Sequence, residues 1–230
     1  MSGNSFSDKS SSENSSSGTS RAKRATPVKR LPHKESRNRN DLLEILKRSR
    51  VAHVAIDDGG PIILPVAVAP WRDGSELLLH GSTASRLFKK LSEGAAACVS
   101  LTIVEGLVLA RSAFESSMNY RSLLAFGSGR DLEGAEKVEA LLALTEHLFP
   151  GRSAELRPST EQELKATSII AFPLDDFSIK ISDKEPEDPE SDLNEPVWAG
   201  VVPVIQVFGE PIPASNLDPS LPLPTYIKNW

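Results

Sequence analysis

The sequence predicts a mainly β protein, a small antiparallel barrel with a few flanking α-helices. Three observations lead there. Short stretches of apolar residues, several alternating with polar ones, recur through the middle of the chain. Tight links rich in Asp and Gly join the first of them, at Asp57–Gly60 and Arg72–Ser75. Helical periodicity is confined to a few segments.

Taken in order, Asn40–Arg48 reads as a short amphipathic helix. Asn40 or Asp41 can cap it, and Leu42, Leu43, Ile45 and Leu46 give it an apolar face. Arg50–Asp57 alternates as a strand. Pro61–Trp71 is the second strand, and its prolines imply an edge or a bulge. Glu76–His80 completes an antiparallel meander. Thr83–Gly94 is read as a helix stopped by Gly94. Ala95–Val104 is a buried strand, and Ser112–Glu115 and Asn119–Arg130 are extended, with a bend near Gly127 and Gly129. Gly134–Phe149 is a clear helix, ended by Pro150 and Gly151. Thr160–Lys165 carries a Thr-x-x-Glu capping box. Ser168–Pro173 and Phe177–Ile181 are the last strands. Pro196–Val204 is apolar enough to dock on the barrel, and little order is expected beyond Ile212.

The bulk numbers set limits. The chain has 230 residues, 39% hydrophobic and 25% charged, which suits one domain with polar ends. A formal net charge of −5 argues against nucleic acid as the main partner. One cysteine, Cys98, cannot staple the fold, and four scattered histidines give no metal spacing. No apolar run approaches the roughly 18 residues of a membrane span. The serine-rich start lacks the apolar core of a secretory signal. The expected organisation is a disordered tail over 1–36, a barrel domain over 37–183, and a Pro- and acid-rich extension over 184–230, docked around 196–211. A cytoplasmic setting is expected; Arg21, Lys23, Arg24, Lys29 and Arg30 offer a nuclear address or a phosphate-seeking patch, but a solvated basic tail is the favoured reading of them.

The chemistry concentrates at Gly81–Arg86. Ser82, Thr83 and Ser85 supply hydroxyls, a helix start supplies free N–H groups, and Arg86 supplies a planar cation, a combination that suits a phosphate. The same residues also make an ordinary helix start. His80, one residue earlier, titrates near neutrality and can trade a proton, or can be structural. His53 and His147 read as structural. Asn119, Tyr120, Arg121 and Ser122 offer donors on both faces of one strand, for the polar edge of a flat ring or for cross-strand pairing. There is no nucleophile elbow, no Walker loop and no paired-carboxylate spacing.

Four stretches together carry a family resemblance: Leu79–Arg86, Gly106–Phe114, Ser117–Ser122 and Glu146–Arg152. With Arg30–Pro32 and Trp198–Val201, they resemble the pyridoxamine 5′-phosphate oxidase-like flavin-binding proteins, in the branch related to nitroimidazole-resistance (Nim-type) reductases. The resemblance spans roughly Lys29 to Pro211. It implies an FMN-binding split β-barrel, antiparallel and Greek-key-like, that forms a homodimer with FMN at the interface. Carried onto this chain, Pro65 and Val66 would run under the ring, with His80 and Gly81 beside it. Ser82, Ser85 and Arg86 would hold the phosphate, and Asn119, Arg121 and Ser122, from the same or the partner subunit, would contact the ring or ribityl chain. His80 would be the catalytic residue. The implied activity is reduction of a small nitro or quinone acceptor from a nicotinamide donor. The alternative is an FMN- or haem-binding module without turnover. Glu115 and Ser116 stand where many relatives carry histidines, and the closing Arg-and-Trp motif of true pyridoxamine phosphate oxidases is absent, so vitamin B6 oxidation is not expected.

Overall fold

The computed structural model describes residues 34–230, so the expectations for the serine-rich tail and its basic clusters lie outside the described residues. In chain order the elements are β1 (Glu35–Ser36), α1 (Arg39–Arg48), β2 (Val51–Asp57), β3 (Pro61–Trp71), β4 (Glu76–Ser82), α2 (Arg86–Ser92), β5 (Ala97–Leu109), β6 (Ser117–Gly127), β7 (Arg130–Asp131), α3 (Gly134–Leu148), α4 (Glu161–Ala166), β8 (Thr167–Pro173), β9 (Asp176–Ser182) and β10 (Gly200–Pro203). The strands form one antiparallel sheet ordered β1-β9-β6-β5-β2-β3-β4-β8-β7, with β10 added to β5. β2, β3 and β4 are the meander read from the alternation.

β5 is where the barrel divides. One edge pairs with β6 along most of its length. The other edge is shared: Ala97–Ser100 pairs with β2, and Gly106–Leu109 pairs with β10. The register slips between Val104 and Gly106, a bulge that reverses which side chains face inward. The sequence reading ended this strand at Val104, because the bulge breaks the alternation there.

The prolines of β3 do not place it at an edge, since it lies between β2 and β4. They are tolerated for a local reason. β2 pairs with Pro61–Ala67 and β4 pairs with Ala67–Trp71, so Pro61, Pro65 and Pro70 each have a ladder partner on one side only.

Two apolar layers hold the sheet. The inner one gathers Ala52, Val54, Val66, Val68, Leu77, Leu79, Val99, Leu101 and Leu123 around two helices. α1 contributes Leu42, Ile45 and Leu46, and α2 contributes Leu87, Phe88 and Leu91. Each such side chain contributes about 1.5–3 kcal/mol on full burial. On the outer face, α3 buries Ala140 and Leu144 against Ala69, Trp71, Leu78, Ile169 and Ala171.

Helix starts differ from the reading in two places. α1 is capped by Asn38, whose side chain accepts from the Asn40 N–H at 2.9 Å, rather than by Asn40 or Asp41. α2 begins at Arg86 rather than Thr83. The Thr83 N–H donates to the Ala166 carbonyl instead, at 3.0 Å, so the chain turns before it coils. Ser112–Glu115 is a turn, not a strand: Ser116 Oγ donates to the Ser112 carbonyl at 2.8 Å and accepts from the Ala110 N–H at 3.1 Å. The capping box at Thr160 and Glu163 is present as read.

The end of the chain is better fixed than the sequence suggested. Trp230 Nε1 donates to the Pro150 carbonyl at 3.0 Å, and the Tyr226 hydroxyl donates to Glu155 at 2.7 Å. Both residues are near neighbours of the turn that ends α3. No helix among the described residues is long and apolar enough to cross a membrane.

Candidate functional site

The cover supplied by α3 stops short. Across β3, β4 and β8, Ala67, His80 and Ile169 lie side by side in register. Ile169 is buried under α3, while His80 and Ala67 are half-buried at the border of its cover. Beyond that border the outer face is open. It presents His53 and Pro65, paired across β2 and β3, and Ser100, paired with His53 across β5. It also presents exposed Val51, Ile63, Val104, Leu107, Met118 and Leu124. An apolar face of this extent on a sheet is ordinarily covered by a ligand or a partner.

His80 is the titratable group nearest the Ser82–Ser85 turn on this face. Its burial pushes the imidazole below its usual pKa, so it is neutral near pH 7. Burial also pushes the Cys98 thiol up, which favours its protonated form. No group of His, Cys, Asp and Glu suited to a metal ion occurs among the described residues.

The turn after β4 has the polar groups the sequence promised, arranged differently. Gly81 points inward: a Cβ there would lie 2.1 Å from the Phe88 ring. Glycine is therefore required by packing of α2, whatever binds outside. Ser82 Oγ accepts from the Ala84 N–H at 3.2 Å, and Ser85 occupies the N-cap position without a side-chain capping bond. Arg86 is engaged. Its Nε donates to Asp58 Oδ2 at 2.5 Å and its Nη2 donates to the Asp58 carbonyl at 2.8 Å. The guanidinium is nonetheless mostly exposed.

The remaining residues divide by face. Pro65 lies on the outer face, but Val66 is buried in the inner core, so only its backbone is available to a ligand outside. Ser122 is on the outer face, opposite Thr102 and Lys180. Asn119 and Arg121 are on the inner face. Asn119 is buried; its Nδ2 donates to the Lys184 carbonyl at 2.9 Å and its Oδ1 accepts from the Lys184 N–H at 3.0 Å. Arg121 is held by Glu105 at 3.1 Å, with Glu44 at 3.6 Å and Asp41 at 3.7 Å. Within this chain both side chains are engaged by these partners, on the face opposite Ser122.

His147 is structural as read, with Nε2 2.8 Å from the Ser49 carbonyl. His53 is not: it is exposed on the outer face. The signal was present in the alternation, because Ala52, Val54 and Ile56 fill the core and leave His53 the opposite side.

An antiparallel sheet divided at β5, with a helix-covered half and an open half ending in a hydroxyl-rich turn, defines a split-barrel protein. A family model described as pyridoxamine 5′-phosphate oxidase matches residues 38–181, and the chain belongs to that family. Similar solved structures include that of the FAD and heme binding protein from Mycobacterium smegmatis, 41% identical with a TM-score of 0.81, covering 85% of this chain and 96% of that one. The flavocytochrome Anf3 from Azotobacter vinelandii is 32% identical with a TM-score of 0.81, covering 88% of this chain and 94% of that one. A 5-nitroimidazole antibiotic resistance protein from Bacteroides thetaiotaomicron shares the fold at 17% identity, with a TM-score of 0.54, over 64% of this chain and 86% of that one. A search of curated proteins found no match.

Proposed function

We propose that this chain is a flavin-binding redox protein that acts as a homodimer in the cytoplasm. The observation that carries the reading is the open outer face beside His80, floored by Pro65 and Ala67 and ending at the Ser82–Arg86 turn. The residues fit a flavin. Two small side chains leave room for a flat ring, and the Ser85 hydroxyl makes no capping bond. Arg86 fits on the condition that it shares its charge between Asp58 and a phosphate. Membership of the family and the flavin named in two relatives support the reading.

When bound, the flavin supplies two-electron chemistry; the chain binds, orients and shields it. His80, kept neutral by burial, would exchange a proton with a small substrate bound on this face. A second copy covers the apolar face and excludes water. FMN is the flavin of this reading, with its phosphate at the Ser82–Arg86 turn. A nicotinamide nucleotide is the donor and a small nitro or quinone compound the acceptor. The test is the absorbance of the purified full chain. Maxima at about 370 and 450 nm, bleached by a nicotinamide donor, support the reading. Mass analysis of the released cofactor separates FMN from FAD. A protein that is colourless and indifferent to both flavins rejects it.

A second reading is a carrier of flavin or haem without turnover. Heme in the name of one relative and flavocytochrome in that of another favour it, as do two imidazoles, His53 and His80, on one face. A Soret band, shifted by His53→Ala or His80→Ala, supports this reading over the first.

A further inference from the structure

The last part of the chain is held at two places and free between them. At the near end, the Val204 N–H donates to the Glu105 carbonyl at 3.0 Å, which continues the β10 pairing by one residue. At the far end, Thr225–Asn229 forms a single 3₁₀ turn that sets Tyr226 and Trp230 against the turn closing α3. Between them, residues 209–223 are exposed throughout. Their hydrogen bonds to other described residues are all local: Leu217 to Ala214, Leu221 to Asp218 and Ser220 to Asp218. A loop of this length with no structure of its own is uncommon in a compact fold and ordinarily has a function.

The far attachment has a built seat. Glu146 of α3 shapes it: its carboxylate accepts from the Gly151 N–H at 2.6 Å and from the Ser153 hydroxyl at 2.5 Å. Gly151 has φ +85°, and a Cβ there would lie 2.9 Å from Tyr226, so glycine serves both the turn and the seat of the tyrosine. Arg152 donates to the Tyr226 hydroxyl at 3.0 Å and to Glu155 at 2.8 Å. With the Trp230 bond to Pro150, these contacts fix the end of the chain by polar groups at the surface. Trp230 is exposed and Tyr226 half-buried, so little apolar area adds to them. An attachment of this kind opens far more readily than a barrel core.

What the attachment restrains lies elsewhere. The Trp230 ring packs on Phe208, their centres 5.6 Å apart. Phe208 in turn covers the Arg50 guanidinium, which lies 5.1 Å from the ring centre. Arg50 directly precedes β2, and the Ser49 carbonyl beside it holds His147 of α3. The aromatic rings therefore bridge the end of α3 to the start of β2.

We infer that residues 204–230 form a strap with a fixed hinge at Val204 and a releasable latch at residues 150–155, and that release lifts Phe208 off Arg50 while the barrel stays folded. Latched, the strap covers the start of β2; released, it uncovers it. The device is mechanical and stands whether or not the chain binds a flavin.

The test is residue-resolved hydrogen exchange on the full chain. The Ile227 and Trp230 amides should exchange through an opening indifferent to low urea, whereas the amides of β2 and β6 should need the urea-sensitive unfolding of the whole barrel. Trp230→Ala breaks the latch from the strap side and Glu146→Gln from the seat side. Each should speed exchange at Ile227 roughly tenfold, the effect of one lost hydrogen bond, and leave Val204, β2 and β6 unchanged. Phenylglyoxal, which modifies arginine, should react several times faster at Arg50 in both variants and no faster at Arg86. The inference fails if Ile227 and the barrel share one urea dependence, or if Arg50 reacts equally fast in all three proteins. It fails too if mixing the Trp230→Ala and Glu146→Gln chains restores protection of Arg50, since each strap would then be latched to a second copy. A chain that takes no flavin yet shows the latch rejects the proposed function and keeps the strap; a flavin-loaded chain whose strap opens only with the barrel does the reverse.

Discussion

Arg86 grips Asp58 twice, through the carboxylate at 2.5 Å and the backbone carbonyl at 2.8 Å, and so joins the start of α2 to the β2–β3 turn. The side-chain bond from Arg86 is the largest reason the Asp58 carboxyl is held below its ordinary pKa. A ligand phosphate at this turn must compete with Asp58 for the same fork. Asp58→Asn should therefore tighten flavin binding, while Arg86→Ala should weaken it by about 1.5–3 kcal/mol. Titration of the two variants with FMN checks both directions. Equal affinity in wild type and variants would remove the phosphate from this turn.

His80 sets a pH dependence of stability. Its folded-state pKa is lowered by burial, so the unfolded chain binds its proton more readily. The contribution is full above the unfolded value of about 6.5 and is lost as pH falls through the lower folded value. Urea midpoints at several pH values should drop on acidification more steeply in the wild type than in His80→Gln. Parallel curves would mean that His80 is not the group responsible.

Gly81→Ala places a methyl group against the Phe88 ring. Overpacking of this kind costs about 1–3 kcal/mol. The loss should appear in the denaturation midpoint and be partly restored by adding Phe88→Leu. Such rescue tells a packing glycine from one needed for ligand access.

Asn119→Ala removes both bonds to the Lys184 backbone. Leaving those buried groups unpaired should cost about 1–3 kcal/mol. Limited proteolysis should then cut the acidic stretch after β9 sooner than in the wild type. Flavin content should not change, because the side chain lies on the inner face.

Much of the fold was legible in the sequence because its signals are local. The alternation of β2, the period of α3 and the Thr160 capping box each state their structure within a few residues. What was not legible depends on distant partners. Nothing near Asn119 announces Lys184, and nothing near Arg86 announces Asp58. The motif around Ser117–Ser122 was read as donors for a ring, and alternation correctly split it into two sets. Which set faces the core is decided by Leu123 and Ala125, fully buried on the same face of β6, and Arg121 is held there by Glu105. The split of the β3 ladders at Ala67, which excuses the prolines, needs the pairing of three strands and cannot be read from one.

β10 also has a protective part. The later half of β5 would otherwise present a bare row of amide and carbonyl groups next to Leu107 and Leu109. An uncapped strand of that kind recruits other chains. The short stretch Gly200–Val204 thus acts as a built-in safeguard against clumping, and a chain cut before Gly200 should be the stickier one.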